Sequence, residues 1–224
     1  MGRGIIVDLD GTLIDSSKAH VSVWKKALKS FGVKRSDEEV RRQLGKTSAG
    51  IAEALMPGAS REDAEACALL KDKLFQWEGI LQSQLVPGAN KALKKVKAMG
   101  YDCAVASSNP RPVVEQTLLF FNLMPYVDAV VSMDDVEHGK PHPEMMLKAA
   151  ATMGLNPQRC IAVGDSVYDI LAGQGAGMPT IAVLTGVQSL EELMEARPTK
   201  VIKDVSKLPE LLSTKEFSSP TSKG

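Results

Sequence analysis

The run Asp8-Leu9-Asp10-Gly11-Thr12-Leu13 sets two carboxylates one residue apart at the end of an apolar stretch. Gly11 permits a sharp turn directly after them. A second acidic group follows another apolar stretch, in Val163-Gly164-Asp165-Ser166, with Asp169 four residues beyond Asp165. With a helix beginning near Val167, that spacing places Asp165 and Asp169 on one face of its first turn. If all these acids meet, their charges repel: two unit charges about 4 Å apart cost about 4 kcal/mol at an effective dielectric near 20. A hard divalent cation offsets that cost, and Mg²⁺ commonly takes few carboxylates together with waters and a substrate phosphate. A phosphate-handling magnesium site is therefore the chemistry these residues suit.

Two further segments complete such a site. Ser107 follows the apolar run Asp102–Ala106 with a hydroxyl, and the amides of Ser108 and Asn109 lead towards a helix whose N-terminus would cradle an anion. Lys140 stands in Gly139-Lys140-Pro141-His142-Pro143, where two prolines stiffen the backbone around a cation.

The elements that must position these residues alternate. Short apolar runs at Gly4–Asp8, Asp102–Ala106, Ala129–Val131, Cys160–Val163 and Thr180–Val183 read as buried parallel strands. Helical patterns lie between them at Ala89–Met99, Pro112–Phe121, Pro143–Met153 and Val167–Ala176. Gly100 and Gly154 suit left-handed C-caps, and Pro143 a first helical turn. This alternation predicts an α/β fold, a Rossmann-like parallel sheet with helices on both faces.

From Asp15 to Gln84 the rhythm breaks, with helical stretches at Ser17–Phe31, Asp37–Leu44, Ala49–Leu55 and Arg61–Leu81 and no strand-like run. Trp24, Leu28 and Phe31 follow helical spacing and predict a separate core. The expected organisation is an α/β core of residues 1–14 and 85–213, an inserted all-helical cap of residues 15–84, and a disordered tail of residues 214–224 rich in Ser and Lys.

The bulk composition narrows the partners. Lys plus Arg and Asp plus Glu each number 27, and this zero net charge gives no sign of nucleic-acid binding. Cys67, Cys103 and Cys160 are odd in number, far apart and set among apolar residues, so buried reduced thiols are expected. With no signal-peptide pattern and no apolar run long enough to span a bilayer, a cytoplasmic protein without a membrane partner is expected. Its expected form is a monomer or homodimer.

In combination, DLDGTL, the strand-end Ser107, GKPHP and GDSVYD resemble the four ordered motifs of the haloacid dehalogenase (HAD) superfamily, over essentially the whole chain to about Thr185. The helical insertion resembles the C1-type cap of the branch that holds phosphoglycolate phosphatases and β-phosphoglucomutases. The resemblance implies that Asp8 is the nucleophile, forming an aspartyl-phosphate, and that Asp10 is the general acid and then base. It implies Mg²⁺ held by Asp8, Asp165 and the backbone carbonyl of Asp10, supported from behind by Asp169. Ser107, Ser108, Asn109 and Lys140 would grip the phosphoryl group. Crowding by the other carboxylates is expected to raise the pKa of Asp10 and so make its protonated form accessible.

In the insertion, Arg41, Arg42, Gly45, Lys46 and Thr47 form a basic patch with a glycine break, read either as a solvated helix end or as a substrate-reading loop. Asp15, His20 and Trp24 resemble the start of the β-phosphoglucomutase cap, where the histidine helps control the acid–base aspartate. The mutase loop would continue as glycine, a small residue and Ser-Arg, whereas here the chain reads Gly45-Lys46-Thr47-Ser48-Ala49. The missing arginine favours a phosphomonoesterase acting on a small phosphorylated metabolite, such as phosphoglycolate or a sugar phosphate, over a mutase. Dehalogenation would leave Asp10 and the GDSVYD acids without a task. A non-catalytic binding protein would have lost the nucleophile or the acid, and both are present.

Overall fold

The computed structural model describes residues 2–214 and Phe217. The chain begins with β1 (Arg3–Val7) and the short β2 (Ile14–Asp15). Four helices follow, α1 (Ser17–Ser30), α2 (Asp37–Arg41), α3 (Ser48–Leu55) and α4 (Arg61–Leu74). A π-helical stretch at Phe75–Gly79 runs into α5 (Ile80–Gln82) and then β3 (Gln84–Leu85). Beyond it lie α6 (Ala89–Ala98), β4 (Tyr101–Ala106), α7 (Arg111–Phe120) and β5 (Ala129–Val131). Next come α8 (Glu144–Thr152), β6 (Cys160–Gly164), α9 (Val167–Gly175) and β7 (Thr180–Val183). The last elements are α10 (Leu190–Glu195), β8 (Lys200–Ile202) and α11 (Leu208–Leu212).

Six strands form one parallel sheet in the order β5-β4-β1-β6-β7-β8. In β1 the side chains alternate, with Ile5 and Val7 facing one helical layer and Ile6 the other, all fully buried. That two-sided burial is why the strand reads as an unbroken apolar run. One layer is built from Leu93 and Val96 of α6, Val114 and Leu118 of α7, and Leu208 and Leu212 of α11. The opposite layer is packed by Met145, Met146, Ala149 and Ala150 of α8 and by Ala172 of α9.

Register decides where the site forms. Val7 is level with Val105 on one side and Val163 on the other. Asp8, Ser107 and Asp165 therefore leave the sheet at one edge, from the three central strands. The order reverses at β1, the switch point where ligands bind in open α/β sheets.

The helices between β2 and β3 have their own apolar cluster, with Trp24, Leu28, Val40, Ile51, Leu55 and Cys67 buried. Ser36, Thr47 and Ser60 accept hydrogen bonds from backbone amides at the starts of α2, α3 and α4. The antiparallel pair β2–β3 matches Ile14 with Leu85 and Asp15 with Gln84, tying together the chain's entry to and exit from the helices.

Several expectations are refined. The helix expected over 61–81 is interrupted, because at Gly79 a Cβ would overlap the Phe75 ring, so glycine lets that ring lie against the backbone in a wider turn. The helix expected over 37–44 stops at Arg41, and Gly45 then takes a positive φ. β8 escaped sequence reading because it is a half-buried edge strand that starts on Lys200. Gly100 and Gly154 have positive φ as expected, and Pro143 immediately precedes α8. All three cysteines are buried and free. No described helix is long and apolar enough to cross a membrane. Of the expected tail, Phe217 packs into the core and its carbonyl accepts from Arg3; apart from Thr214, the remainder lies outside the described residues.

Leu93, fully buried beneath the sheet, provides a test of this core. Leu93→Ala should cost about 2–5 kcal/mol in urea unfolding. Leu69→Ala, at a site 62% exposed, should cost less than about 0.5 kcal/mol.

Candidate active site

Asp8 lies at the sheet edge beside the ammonium of Lys140, which donates to Asp8 Oδ1 at 2.6 Å, Asp169 Oδ1 at 2.6 Å and the Ala106 carbonyl at 2.8 Å. The lysine thus spends all three donors inside the protein and ties β1, the β4 end and α9 together. Its neighbouring residues turn tightly, with a cis Lys140–Pro141 peptide. Burial alone would lower its pKa, but Asp169 and Asp8 outweigh it and hold the amine well above the ordinary lysine range.

Asp165 completes the acidic group. Oxygens of Asp8, Asp165 and Asp169 lie within 4.8 Å of one another, and all three side chains are buried. Thr12 donates to Asp165 Oδ1 at 3.2 Å. The other face of that carboxylate is walled by Gly11 and Gly186, where a Cβ would overlap it. Asp169 is already engaged, since Ser166 donates both its amide and its hydroxyl to Oδ2 while Lys140 takes Oδ1. Burial, then Asp8 and Asp169, raise the pKa of Asp165 well above the carboxylate range. Burial likewise pushes Asp8 up to about 8, against the pull of Lys140. Two buried acids short of cationic charge, all oxygen donors, fit a hard divalent ion.

Asp10 points elsewhere. Its Oδ1 accepts from the Ser16 hydroxyl at 2.5 Å and lies 3.0 Å from His20 Nε2, while Oδ2 accepts from the Asn109 amide. Burial would raise its pKa, but His20 and Ser16 outweigh burial and hold it below the ordinary value. The expectation that crowding raises Asp10 is thus corrected: the crowded acids are Asp8 and Asp165, whereas Asp10 faces donors. His20 stacks on Phe75 with ring centroids 3.9 Å apart, and burial followed by Lys71 lowers its pKa.

The remaining expected residues divide. Ser107, Ser108 and Asn109 line the same cavity as Asp8, and Ser107 Oγ accepts from the Asn109 amide at 3.2 Å. Gly45 and Lys46 also line it, with Gly45 packed near Tyr168 and Ser166. Thr47 does not line it and instead accepts from Gly50 N as the cap of α3. Arg41 and Arg42 line a separate groove with Glu38, so the basic patch read from sequence is split.

A family model for haloacid dehalogenase-like hydrolases matches residues 5–183. The chain belongs to the haloacid dehalogenase-like hydrolase family. It is 29% identical to pyrophosphatase PpaX of Bacillus cereus, over 93% of this chain and 95% of that one. It is 27% identical to a phosphoglycolate phosphatase of Psychrobacter arcticus, over 93% and 94% of the two chains. The crystal structure of a hydrolase from Pseudomonas syringae superposes with a TM-score of 0.86 at 26% identity, covering 94% of this chain and 97% of that one.

Within this HAD hydrolase, sequence reading missed a buried cation. Lys71 lines the cavity, is 2% exposed, and its ammonium meets Asp72 Oδ1 at 3.1 Å and Ser48 Oγ at 3.4 Å. It also sits 5.6 Å from the Trp24 ring centroid and 5.4 Å from that of Phe75. Its signal was register, because Ala64, Cys67 and Ala68 mark the buried stripe of α4 and Lys71 continues it.

The raised acids set the pH response. A carboxyl with a raised folded pKa binds a proton that the unfolded chain has released, so the stability this gives is lost as pH rises towards the folded value. His20 has a lowered pKa and acts oppositely, but only below about pH 6.5. From pH 7 to 8.5 the metal-free protein should therefore lose stability. A divalent ion held by these carboxylates would compete with the same protons, so the rise in Tm on adding Mg²⁺ should grow over this interval, and an unchanged rise would contradict the carboxylate assignment.

Proposed function

We propose that this protein is a Mg²⁺-dependent phosphatase that hydrolyses a small phosphorylated metabolite through an aspartyl-phosphate on Asp8. The observation that carries this reading is the pairing of Asp8, which lines the cavity, with the buried Lys140, while Asp10 on the same turn is engaged by a different set of partners. Names of relatives agree with it, since PpaX and the Psychrobacter protein are both phosphate-releasing enzymes by name.

Asp8, Asp165 and the Asp10 carbonyl would hold Mg²⁺, whose charge offsets that of the phosphoryl oxygens. Asp169 holds Lys140 and the start of α9 in place. An oxygen of Asp8 attacks phosphorus, the bond from phosphorus to the leaving oxygen breaks, and Asp10 gives that oxygen a proton. A 3.0 Å contact with His20 orients the Asp10 carboxyl that delivers this proton. Asp10, again a carboxylate, then takes a proton from water. The hydroxide attacks phosphorus, the bond to Asp8 breaks and phosphate leaves. Ser107 and the Ser108 amide grip the phosphoryl group throughout, while Lys140, whose three donors are spent inside the protein, holds Asp8 in place.

The helices of residues 15–84 act as a cap over residues 1–14 and 85–213, closing on the two-stranded neck and excluding water. Lys46 and Lys71 put positive charge on the wall facing the leaving group. That suits a leaving group with its own anion, as in phosphoglycolate, better than a neutral sugar.

With Mg²⁺ and p-nitrophenyl phosphate the protein should release phosphate, and Asp8→Asn should reduce kcat by on the order of 10⁴ or more with the fold intact by circular dichroism. Near wild-type turnover in that variant would remove Asp8 as the nucleophile. Incubation with glucose 1-phosphate should give inorganic phosphate rather than an isomerised sugar phosphate. Lys71→Met should lower kcat/KM for phosphoglycolate by roughly ten- to a hundredfold, the worth of one hydrogen bond to a charged group. Turnover of p-nitrophenyl phosphate should fall much less, and equal losses on the two substrates would argue against a leaving-group contact.

A further inference from the structure

Two of the chain's three histidines sit on the segment that carries Lys140, two residues before and two after it. They belong to a group separate from the aspartate site: nitrogens of His138 and His142 and an oxygen of Glu144 lie within 4.8 Å of one another. His138 Nδ1 is 3.1 Å from Glu144 Oε2, and His142 Nδ1 is 3.8 Å from the same oxygen. The two rings face each other with centroids 4.7 Å apart. A tetrahedral ion with bonds near 2.1 Å holds its ligand atoms about 3.4 Å apart, and the two observed nitrogen–oxygen separations bracket that spacing.

The carboxylate is already aimed. Its Oε1 accepts the Glu137 amide at 3.0 Å, and its Oε2 accepts the His138 amide at 3.0 Å. These bonds, the Glu137 one foremost, keep Glu144 ionised by lowering its pKa. His142 Nδ1 accepts the Glu144 amide at 3.3 Å, a long bond that a metal ion would displace. The side chains are accessible on the outer face of the loop, which leaves room for water as a fourth ligand.

We propose that His138, His142 and Glu144 form a second metal site that takes a borderline ion of the Zn²⁺ class, distinct from the oxygen-only site of Asp8 and Asp165. Ligand softness separates the two: imidazole nitrogen favours Zn²⁺, Ni²⁺ or Cu²⁺, whereas carboxylates alone favour Mg²⁺. A bound ion would replace the proton shared between His138 and Glu144 and cross-link the segment before Lys140 to the start of α8. The site therefore restrains the loop that delivers Lys140, without touching the cavity itself.

The test is calorimetric titration of the folded, Mg²⁺-saturated protein with Zn²⁺, repeated on His138→Ala/His142→Ala and on Asp165→Asn. One equivalent of Zn²⁺ is expected for wild type and for Asp165→Asn, with affinity lowered more than about tenfold in the double histidine variant, the least that disturbing a metal site's outer partners typically costs. Replacing Zn²⁺ with Co²⁺ should give wild type a visible absorption band of a tetrahedral nitrogen–oxygen site, absent from the double variant. Should the double variant fold poorly, His142→Gln alone serves in its place, with the same loss expected. Equal Zn²⁺ affinity in wild type and the histidine variants, or loss of binding in Asp165→Asn instead, would overturn the proposal.

Discussion

A single buried ammonium holds the site in one piece. Lys140 bridges Asp8 and Asp169 while donating to the Ala106 carbonyl, so one side chain joins three segments that lie far apart in the chain. Its removal would leave two carboxylates facing each other in low dielectric, where an uncompensated buried charge costs several kcal/mol. The residues around it follow from that need. Asp169 faces Lys140 because the Ser166 capping box fixes the first turn of α9. Asp8 faces it because β1 ends level with β4 and β6. One positive charge among three acids leaves a deficit that adds to burial, the larger cause, in raising the pKa values of Asp8 and Asp165.

The second constraint runs from the helical segment into the sheet edge. Asp10 is held by Ser16 and His20, which precede and open α1, and by Asn109 from the other side. His20 in turn stacks on Phe75, whose position depends on the π-helical turn and on the missing side chain at Gly79. Asp10 is therefore held by both the helical segment and the sheet edge. A shift of α1 relative to the sheet would disturb the partners of Asp10 before it disturbed Asp8. Fixing the donor set of one carboxylate thus links its proton affinity to the placement of the helices.

Much of this was legible in the residues, and for a consistent reason. Parallel strands buried on both faces cannot carry polar side chains, so their ends show as apolar runs stopping at Asp8, Ser107 and Asp165. Helical spacing likewise located the cluster around Trp24 and Leu28. Features set by tertiary contacts were not legible in this way. β8 and the β2–β3 neck are too short or too half-buried to carry a pattern. The interruption after Leu74 arises from a ring lying over a glycine, which helical periodicity does not register. Lys71 was passed over because charge outweighed register, although its place on the buried face of α4 marks it. Arg41 and Arg42, adjacent to Gly45 in sequence, separate in space because α2 ends before the chain turns towards the cavity.

Opposed shifts at Asp8 and Asp10 bear directly on how two similar acids two residues apart could divide the work. Neighbouring carboxyls whose environments drive their proton affinities in opposite directions are the usual mark of an acid–base division. Here burial among like charges raises Asp8, and hydroxyl, amide and imidazole partners lower Asp10. Taken alone, this is the reverse of what a nucleophile and a general acid require. A divalent charge beside Asp8 and Asp165 would offset the burial and like charges that raise Asp8 and so favour its ionised form. No equivalent relief acts on Asp10, which keeps the lowered proton affinity that its His20 and Ser16 partners give it.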